Sequence, residues 1–477
     1  MSPYLHAAGA LIVFLYVIKN RRSSKLPPSP PSLPLIGHLH LIGRLAHRSL
    51  HELQFRYGGG GGGLLYLQLG RRRTLVVSTA AAAADLFRNH DLAFASRPHS
   101  VSGDKLMYGC SNVSFAPYGG NWRRGKKIAT VHLLSQRRVE SFAPVRAAEV
   151  AALVARARRA AEAGLAVELR ELLYGYTNAV ITRAATGAAG ATAERLKQLL
   201  GNSAALMVGF QPEDVLPDAP ARFVRWATGL DKKLDDMAEA WDKFMSELVA
   251  THKEKGAKEE DEDFLDVLLR LREEGTDGLE LTDDRIKAVT KDMIAAATET
   301  STQTMEWTMA ELTANPRVMS KLQDEIARVV SADQTTIAEP DLNKMEYLKA
   351  VFKEVLRLHP PAPLLVPHES TTPAVVQGYE ILAKTALFVN VWAIGRDPAA
   401  WDTPDEFRPE RFMGGSPPVD FRGTDYQFIP FGAGRRICPG INFALPVLEL
   451  ALASLLRHFE WELQCARRTS TWARHRG

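Results

Sequence analysis

Hydrophobic residues recur at helical spacing over much of this chain. In Leu281–Pro316, Ile286, Val289, Met293 and Ala297 fall three or four residues apart, which buries one face of a helix. Thr282 predicts its N-cap, and Asp283 and Asp284 suit the positive end of its dipole. Asn315-Pro316 predicts its end. At about 1.5 Å per residue the stretch between cap and stop, 283–314, is about 48 Å long, enough to cross a whole domain. Ala-rich Val145–Gly164, studded with Arg and Glu, predicts a second helix, and Tyr347–Pro363, stopped by prolines, a third. Phe459–Leu463 instead alternates apolar and acidic residues, the pattern of a half-buried strand. No internal repeat and no long linker follows residue 37, so one mainly helical domain is expected.

The first residues depart from this pattern. Tyr4–Ile18 is almost wholly apolar, and Lys19, Arg21, Arg22 and Lys25 come after it. A cleaved signal peptide carries its charge before the apolar run. Charge that follows the run predicts a retained anchor over 1–20, short of the roughly 20 apolar residues that span a bilayer, with the body cytosolic. The Pro-rich stretch Leu26–Gly37, within a hinge at 21–37, reads as a stiff extended spacer. Gly58–Gly63 reads as a loop and not a phosphate cradle, because no Lys-Ser/Thr follows it. Lys253–Asp263 is a charged surface loop. With 46% hydrophobic and 24% charged residues among 477, the chain is globular with a large core. A net charge of +4 gives no reason to expect nucleic acid. The cysteines, Cys110, Cys438 and Cys465, are too few for a disulfide framework and suit a reducing compartment.

Three features carry candidate chemistry. Thr298, Glu299, Thr300 and Ser301 place polar groups in the middle of the long helix, where hydroxyls can bond their own backbone and loosen it. Glu354 and Arg357, three apart, share a helix face, and Arg408 or Arg411 can reach them from a loop. Cys438 lies in PFGAGRRICPG (430–440), among Gly432, Gly434 and Gly440 and behind Arg435 and Arg436. Positive charge and backbone N–H donors depress a thiol pKa, and the helix expected from Ile441 adds its dipole. A single thiolate without companion ligands suits haem, and arginine suits its propionates. The plain alternative is a buried structural cysteine in a glycine loop.

Taken together, these segments resemble the cytochrome P-450 superfamily, in its plant microsomal A-type group, the seventy-one clan. FGAGRRICPG meets every fixed position of the haem-binding loop F-x-x-G-x-R-x-C-x-G, at Phe431, Gly434, Arg436, Cys438 and Gly440. AATETS (296–301) is similar to the oxygen-activating segment, EVLR (354–357) to the E-x-x-R pair, and PERF (409–412) to the motif completing that triad. WRRGKK (122–127) resembles the helix reaching the propionates, and the anchor with its Pro-rich hinge is the microsomal form. The resemblance implies a mainly α triangular-prism fold with small β-sheets over 38–463. It implies Cys438 as axial ligand of haem b (iron protoporphyrin IX) with Phe431 packed beside it, and Trp122, Lys126, Arg436 and His368 on the propionates. Glu354, Arg357 and Arg411 would form a structural triad, and Thr300 and Glu299 would steer protons during oxygen activation. The reaction implied is insertion of one oxygen atom from O2 into a small lipophilic plant metabolite. Electrons would come from NADPH through a reductase at the endoplasmic reticulum membrane. By resemblance, His99–Phe115 and Met207–Asp218 line or gate the pocket.

Some positions depart from the family pattern. Ala297 stands where glycine is usual, and its methyl would narrow the oxygen groove. Lys126 replaces an arginine, keeping charge and losing bidentate geometry. Pro446 would kink the helix after Cys438. Gln464–Gly477 has four arginines, no acid and no alternation, where the family continues with a hairpin pairing to the preceding strand. A disordered tail, weak haem binding and poor turnover are therefore expected. Two alternatives follow, a haem-binding protein impaired in catalysis and an isomerase or dehydratase on the same fold.

Overall fold

The computed structural model describes residues 25–463, apart from 60–61, 209–210, 215, 256–261, 276–277, 279, 332–333, 335 and 416–417. The anchor expected at 1–20, the tail at 464–477 with Cys465, and parts of the glycine run and of Met207–Asp218 lie outside the described residues. The principal helices are α1 (Ala46–Tyr57), α2 (Ala80–Asn89), α3 (Val101–Leu106), α4 (Gly120–Ile128), α5 (Ala143–Glu162) and α6 (Leu169–Thr186). They continue with α7 (Asp218–Ala227), α8 (Leu230–Lys255), α9 (Asp283–Ala314), α10 (Glu346–Leu358) and α11 (Ile441–His458). The five alanines at 80–84 open α2, where the Thr79 side chain caps Ala82 N–H.

Two small sheets accompany the helices. Strands β1 (Leu64–Leu69), β2 (Arg72–Val77), β3 (His368–Glu369) and β6 (Ala386–Val389) form one sheet in the order β1-β2-β6-β3. β2 runs parallel to β6, with Thr74 opposite Ala386, and the other pairings are antiparallel. β4 (Ala374–Val376) and β5 (Tyr379–Ile381) form a separate hairpin.

The largest core cluster gathers α5, α6, α9, α10 and α11. α9 is capped by Thr282, ends at Asn315 and lies along α6. Thr298, Thr300, Thr302 and Thr304 each donate to the carbonyl four residues back, yet the 32-residue helix is unbroken. The expected loosening is absent because these bonds are added to the backbone ladder without replacing it. α11 runs continuously through Pro446. It is apolar enough to cross a membrane by length and composition, but most of it is buried in the core. Phe459–Leu463 forms no strand, contrary to expectation. Phe459 is extended and, with Trp461, packs on the core, but no strand partner lies beside them among the described residues.

Candidate active site

The loop that carries Cys438 is built by two left-handed glycines. Gly432 has φ +76° and Gly434 φ +64°, and a Cβ on Gly434 would come within 2.2 Å of Asp91 Oδ1. Asp91 holds the same turn by accepting from Arg435 N at 3.1 Å and pairing with Arg435 Nε at 3.2 Å. Cys438 N–H donates to the Phe431 carbonyl at 2.9 Å, which folds the loop back around the half-buried thiol. The Phe431 ring packs at 5.3 Å from Phe421, and Gly440 caps α11.

Arginine proximity does not lower the thiol pKa as the sequence suggested. Burial pushes the Cys438 thiol up, against a Gly440 backbone hydrogen bond that favours the thiolate; Asp292 adds to the rise and Lys126 opposes it. The reason is directional. Arg435 is engaged by Asp91, and Arg436 turns away to donate to the carbonyls of Ala95, Val113 and Ala116 at 2.7, 3.2 and 2.7 Å.

Arg436 belongs to a cationic cluster. Its guanidinium lies 4.0 Å from the Trp122 ring centroid, and Lys126 Nζ lies 5.6 Å from the same ring. Trp122 Nε1 donates to the Val113 carbonyl at 3.1 Å, and Lys126 Nζ to the Arg435 carbonyl. Arg97, which the sequence reading missed, is buried and bonded only to the carbonyls of Ser114, Val366 and Pro367. His368 Nδ1 lies 2.9 Å from the Phe94 carbonyl. Burial and the neighbouring Arg436 lower Arg97 to about 9, burial lowers Arg436 to about 10, and burial with Arg97 holds His368 well below its usual range. Among the described residues none of these cations has a carboxylate within ion-pair distance. Nothing in its spacing marked Arg97 beforehand; only the fold places it beside residues some 270 and 340 positions away.

These residues fit a haem. Arg97, buried, and Arg436 and Lys126, half-buried, are hydrogen-bonded only to carbonyls and suit a dianionic edge, and a thiol without companion ligands suits a metal that brings its own. The one group of three ligating side chains among the described residues, His252, Asp263 and Asp266, lies elsewhere, at the N-terminus of the helix Phe264–Glu273.

On α9, Ala296 and Thr300 form an exposed stripe one turn apart in a helix that is otherwise largely buried. Thr300 Oγ1 donates to the Ala296 carbonyl at 2.7 Å. Ala297 packs against the core instead. Glu299 diverges from Thr300. It accepts from Arg170 Nη2 at 2.7 Å and from Gln303 at 3.0 Å, and no hydrogen bond joins it to Thr300.

Behind the loop, Glu354 and Arg357 are fully buried and form a two-pronged pair at 2.7 and 2.8 Å. Glu354 also accepts from Arg411 Nε at 2.9 Å and from the Arg408 backbone N–H at 2.8 Å. Of the two arginines expected from the loop, Arg411 brings its side chain, while that of Arg408 pairs with Asp402. Arg357 completes its bonding on the carbonyls of Gly395, Pro404 and Glu406.

Comparison with known proteins agrees with this geometry. The Cytochrome P450 family profile matches residues 27–471. Cytochrome P450 71AP13 of Prunus mume is 44% identical over 95% of this chain and 87% of its own length. The (+)-menthofuran synthase of Mentha piperita is 40% identical over 97% of this chain and 93% of its own. A zebra fish cytochrome P450 solved with progesterone superposes with a TM-score of 0.73 at 25% identity, covering 87% of this chain and 92% of that one. From the thiol loop to the fold, the chain belongs to the cytochrome P450 family of monooxygenases.

Proposed function

We propose that the chain binds haem b through Cys438 and inserts one oxygen atom from O2 into a small lipophilic secondary metabolite. The observation that carries this reading is a half-buried lone thiol in the same loop as Arg436, which with Arg97 and Lys126 is hydrogen-bonded only to carbonyls. When bound, haem supplies the oxygen activation and electron uptake. Arg97, Trp122, Lys126, His368 and Arg436 would hold its propionates, exchanging carbonyl partners for carboxylates. Thr300, whose hydroxyl lies on the exposed stripe of α9 and donates to the Ala296 carbonyl, would give its proton to bound oxygen, and Glu299, half in solvent and paired with Arg170, would supply protons from outside. The Glu354–Arg357–Arg411 network fixes the backbone on which the thiol loop rests. Electrons come from NADPH through a reductase at the endoplasmic reticulum membrane, where residues 1–20 anchor a catalytic domain spanning 38–463. Relatives named norfluorocurarine oxidase, salviol synthase and tryptamine 5-hydroxylase support a plant metabolite as substrate.

A second reading, haem binding with poor turnover, is favoured by Phe459–Leu463, which has no strand partner among the described residues. One experiment separates the readings. The reduced, carbon-monoxide-treated full chain should give a thiolate-type spectrum that Cys438→Ser abolishes. Reductase and NADPH then either produce an oxygenated product or do not. A spectrum unchanged by Cys438→Ser overturns the ligand assignment.

A further inference from the structure

The turn of α9 that carries Thr300 is held from behind by α6. Thr298 and Thr302 lie one turn apart and are buried, while Thr300, two residues from each, is on the exposed stripe. α6 brings three polar side chains to this stretch. On the outside, Arg170 pairs with Glu299 at 2.7 Å and with Glu306 at 2.6 Å. On the inside, the buried Thr177 places its Oγ1 2.7 Å from Thr302 Oγ1, and the buried Asn178 donates from Nδ2 to Thr298 Oγ1 at 3.4 Å.

A proton count gives these contacts a direction, because a hydroxyl has one proton to donate. Thr302 spends its proton on the Thr298 carbonyl at 2.8 Å, and Thr298 spends its own on the Ile294 carbonyl at 2.8 Å. Thr177 is therefore the donor to Thr302, and its other acceptors, the Tyr174 and Thr298 carbonyls, are farther off at 3.3 Å. The pattern is selective. On the same two helices the buried hydroxyls of Thr182 and Thr290 have no partner among the described residues, whereas the hydroxyls of Thr298 and Thr302 are both met by donors from α6. Fully satisfied buried polar groups rigidify the packing around them. The Thr300 hydroxyl, bonded to the Ala296 carbonyl, goes where the backbone of this turn goes. We propose that Thr177 is a positioning residue: by donating to Thr302 it fixes the turn 298–302, and with it the direction in which Thr300 presents its hydroxyl. The proposal rests on the role given to Thr300 above and adds the group that sets its aim.

Two substitutions in the full chain separate the hydroxyl from the packing. Thr177→Val keeps the shape and loses the donor, whereas Thr177→Ser keeps the donor and loses a methyl. Hydrogen–deuterium exchange at 296–304 should quicken about fivefold in Thr177→Val, the worth of one neutral hydrogen bond, and stay near the parent in Thr177→Ser. Exchange in α10 should change in neither. With carbon monoxide on the reduced, haem-loaded chain, the C–O stretching frequency should move in Thr300→Ala, move in the same direction in Thr177→Val, and hold in Thr177→Ser. Unchanged exchange at 296–304 in Thr177→Val, quickening that extends equally to α10, or a serine variant that behaves like the valine one overturns the proposal. A frequency that moves in Thr300→Ala and not in Thr177→Val refutes the positioning alone. A frequency unmoved by Thr300→Ala refutes the role of Thr300 itself, and the proposal with it. If the chain takes up no haem, the ligand reading fails separately and the exchange result decides whether Thr177 fixes the turn.

Discussion

Replacing Lys291 with methionine should change how stability depends on pH. Lys291 projects from α9 and is 1% exposed. Its Nζ donates to the Leu106 carbonyl at the end of α3 at 2.8 Å and lies 4.2 Å from the Trp241 ring centroid on α8. Among the described residues no carboxylate is within ion-pair distance. The next lysine, Lys287, takes Asp242 at 2.7 Å and faces Tyr108, and Asp292 is committed to the N–H groups of Val113 and Ser114. Burial lowers the Lys291 amine from 10.5 to about 7. Between those values the unfolded chain holds a proton that the folded chain has released, so stability rises with pH. The slope is about 1.4 kcal/mol per pH unit for one group, or roughly 2.7 kcal/mol from pH 7 to pH 9. Below pH 7 both states are protonated and the full penalty of burying the charge is present. Methionine keeps the contact with Trp241 and loses the Leu106 hydrogen bond, an offset of about 1 kcal/mol that does not vary with pH. Urea unfolding of the two full chains should therefore show a constant stability difference below pH 7, shrinking by roughly 2.7 kcal/mol by pH 9. Parallel curves from about pH 6 to pH 9 would refute the assignment of an amine that is neutral when folded.

Glu354→Ala strands the fully buried Arg357 guanidinium, and loss of one partner from a buried pair costs about 3–5 kcal/mol. The variant should express without stable haem, and normal haem content would count against the triad. Thr300→Ala should keep the thiolate spectrum but uncouple NADPH use from product, releasing hydrogen peroxide; coupling equal to the parent rules out the proton role. Grafting a family-type C-terminal segment after Leu463 should raise haem occupancy and turnover, and a native chain that already matches the graft shows its own tail to be sufficient.

The long helix was legible because its caps, stop and apolar stripe are all local, and α9 begins and ends where Thr282 and Asn315 indicated. The Glu354–Arg357 pair was legible as i, i+3 spacing, but the choice between Arg408 and Arg411 depended on how a loop some 50 residues on returns to it. Charge near Cys438 misled because sequence gives proximity and not direction: Arg435 and Arg436 point to Asp91 and to carbonyls. Arg97 was invisible for a related reason, since its neighbours come from distant parts of the chain. Phe459–Glu462 alternates half-buried and exposed side chains, and Leu463 is exposed, without the segment becoming a strand, since a strand is a property of two segments and not one.

The parallel pairing of β2 with β6 bears on how the protein is made. The hairpin of β1 and β2 is complete early in synthesis, but the strand that covers its open edge is translated roughly 300 residues later. At about 5–20 residues per second the ribosome needs some 15 to 60 s to deliver it. Throughout that interval Leu75, Val76 and Val77, fully buried in the finished fold, sit on an unpaired edge of the kind that recruits other nascent chains. Yield in a foreign host is thus governed by what shields that edge on the ribosome as much as by the stability finally reached.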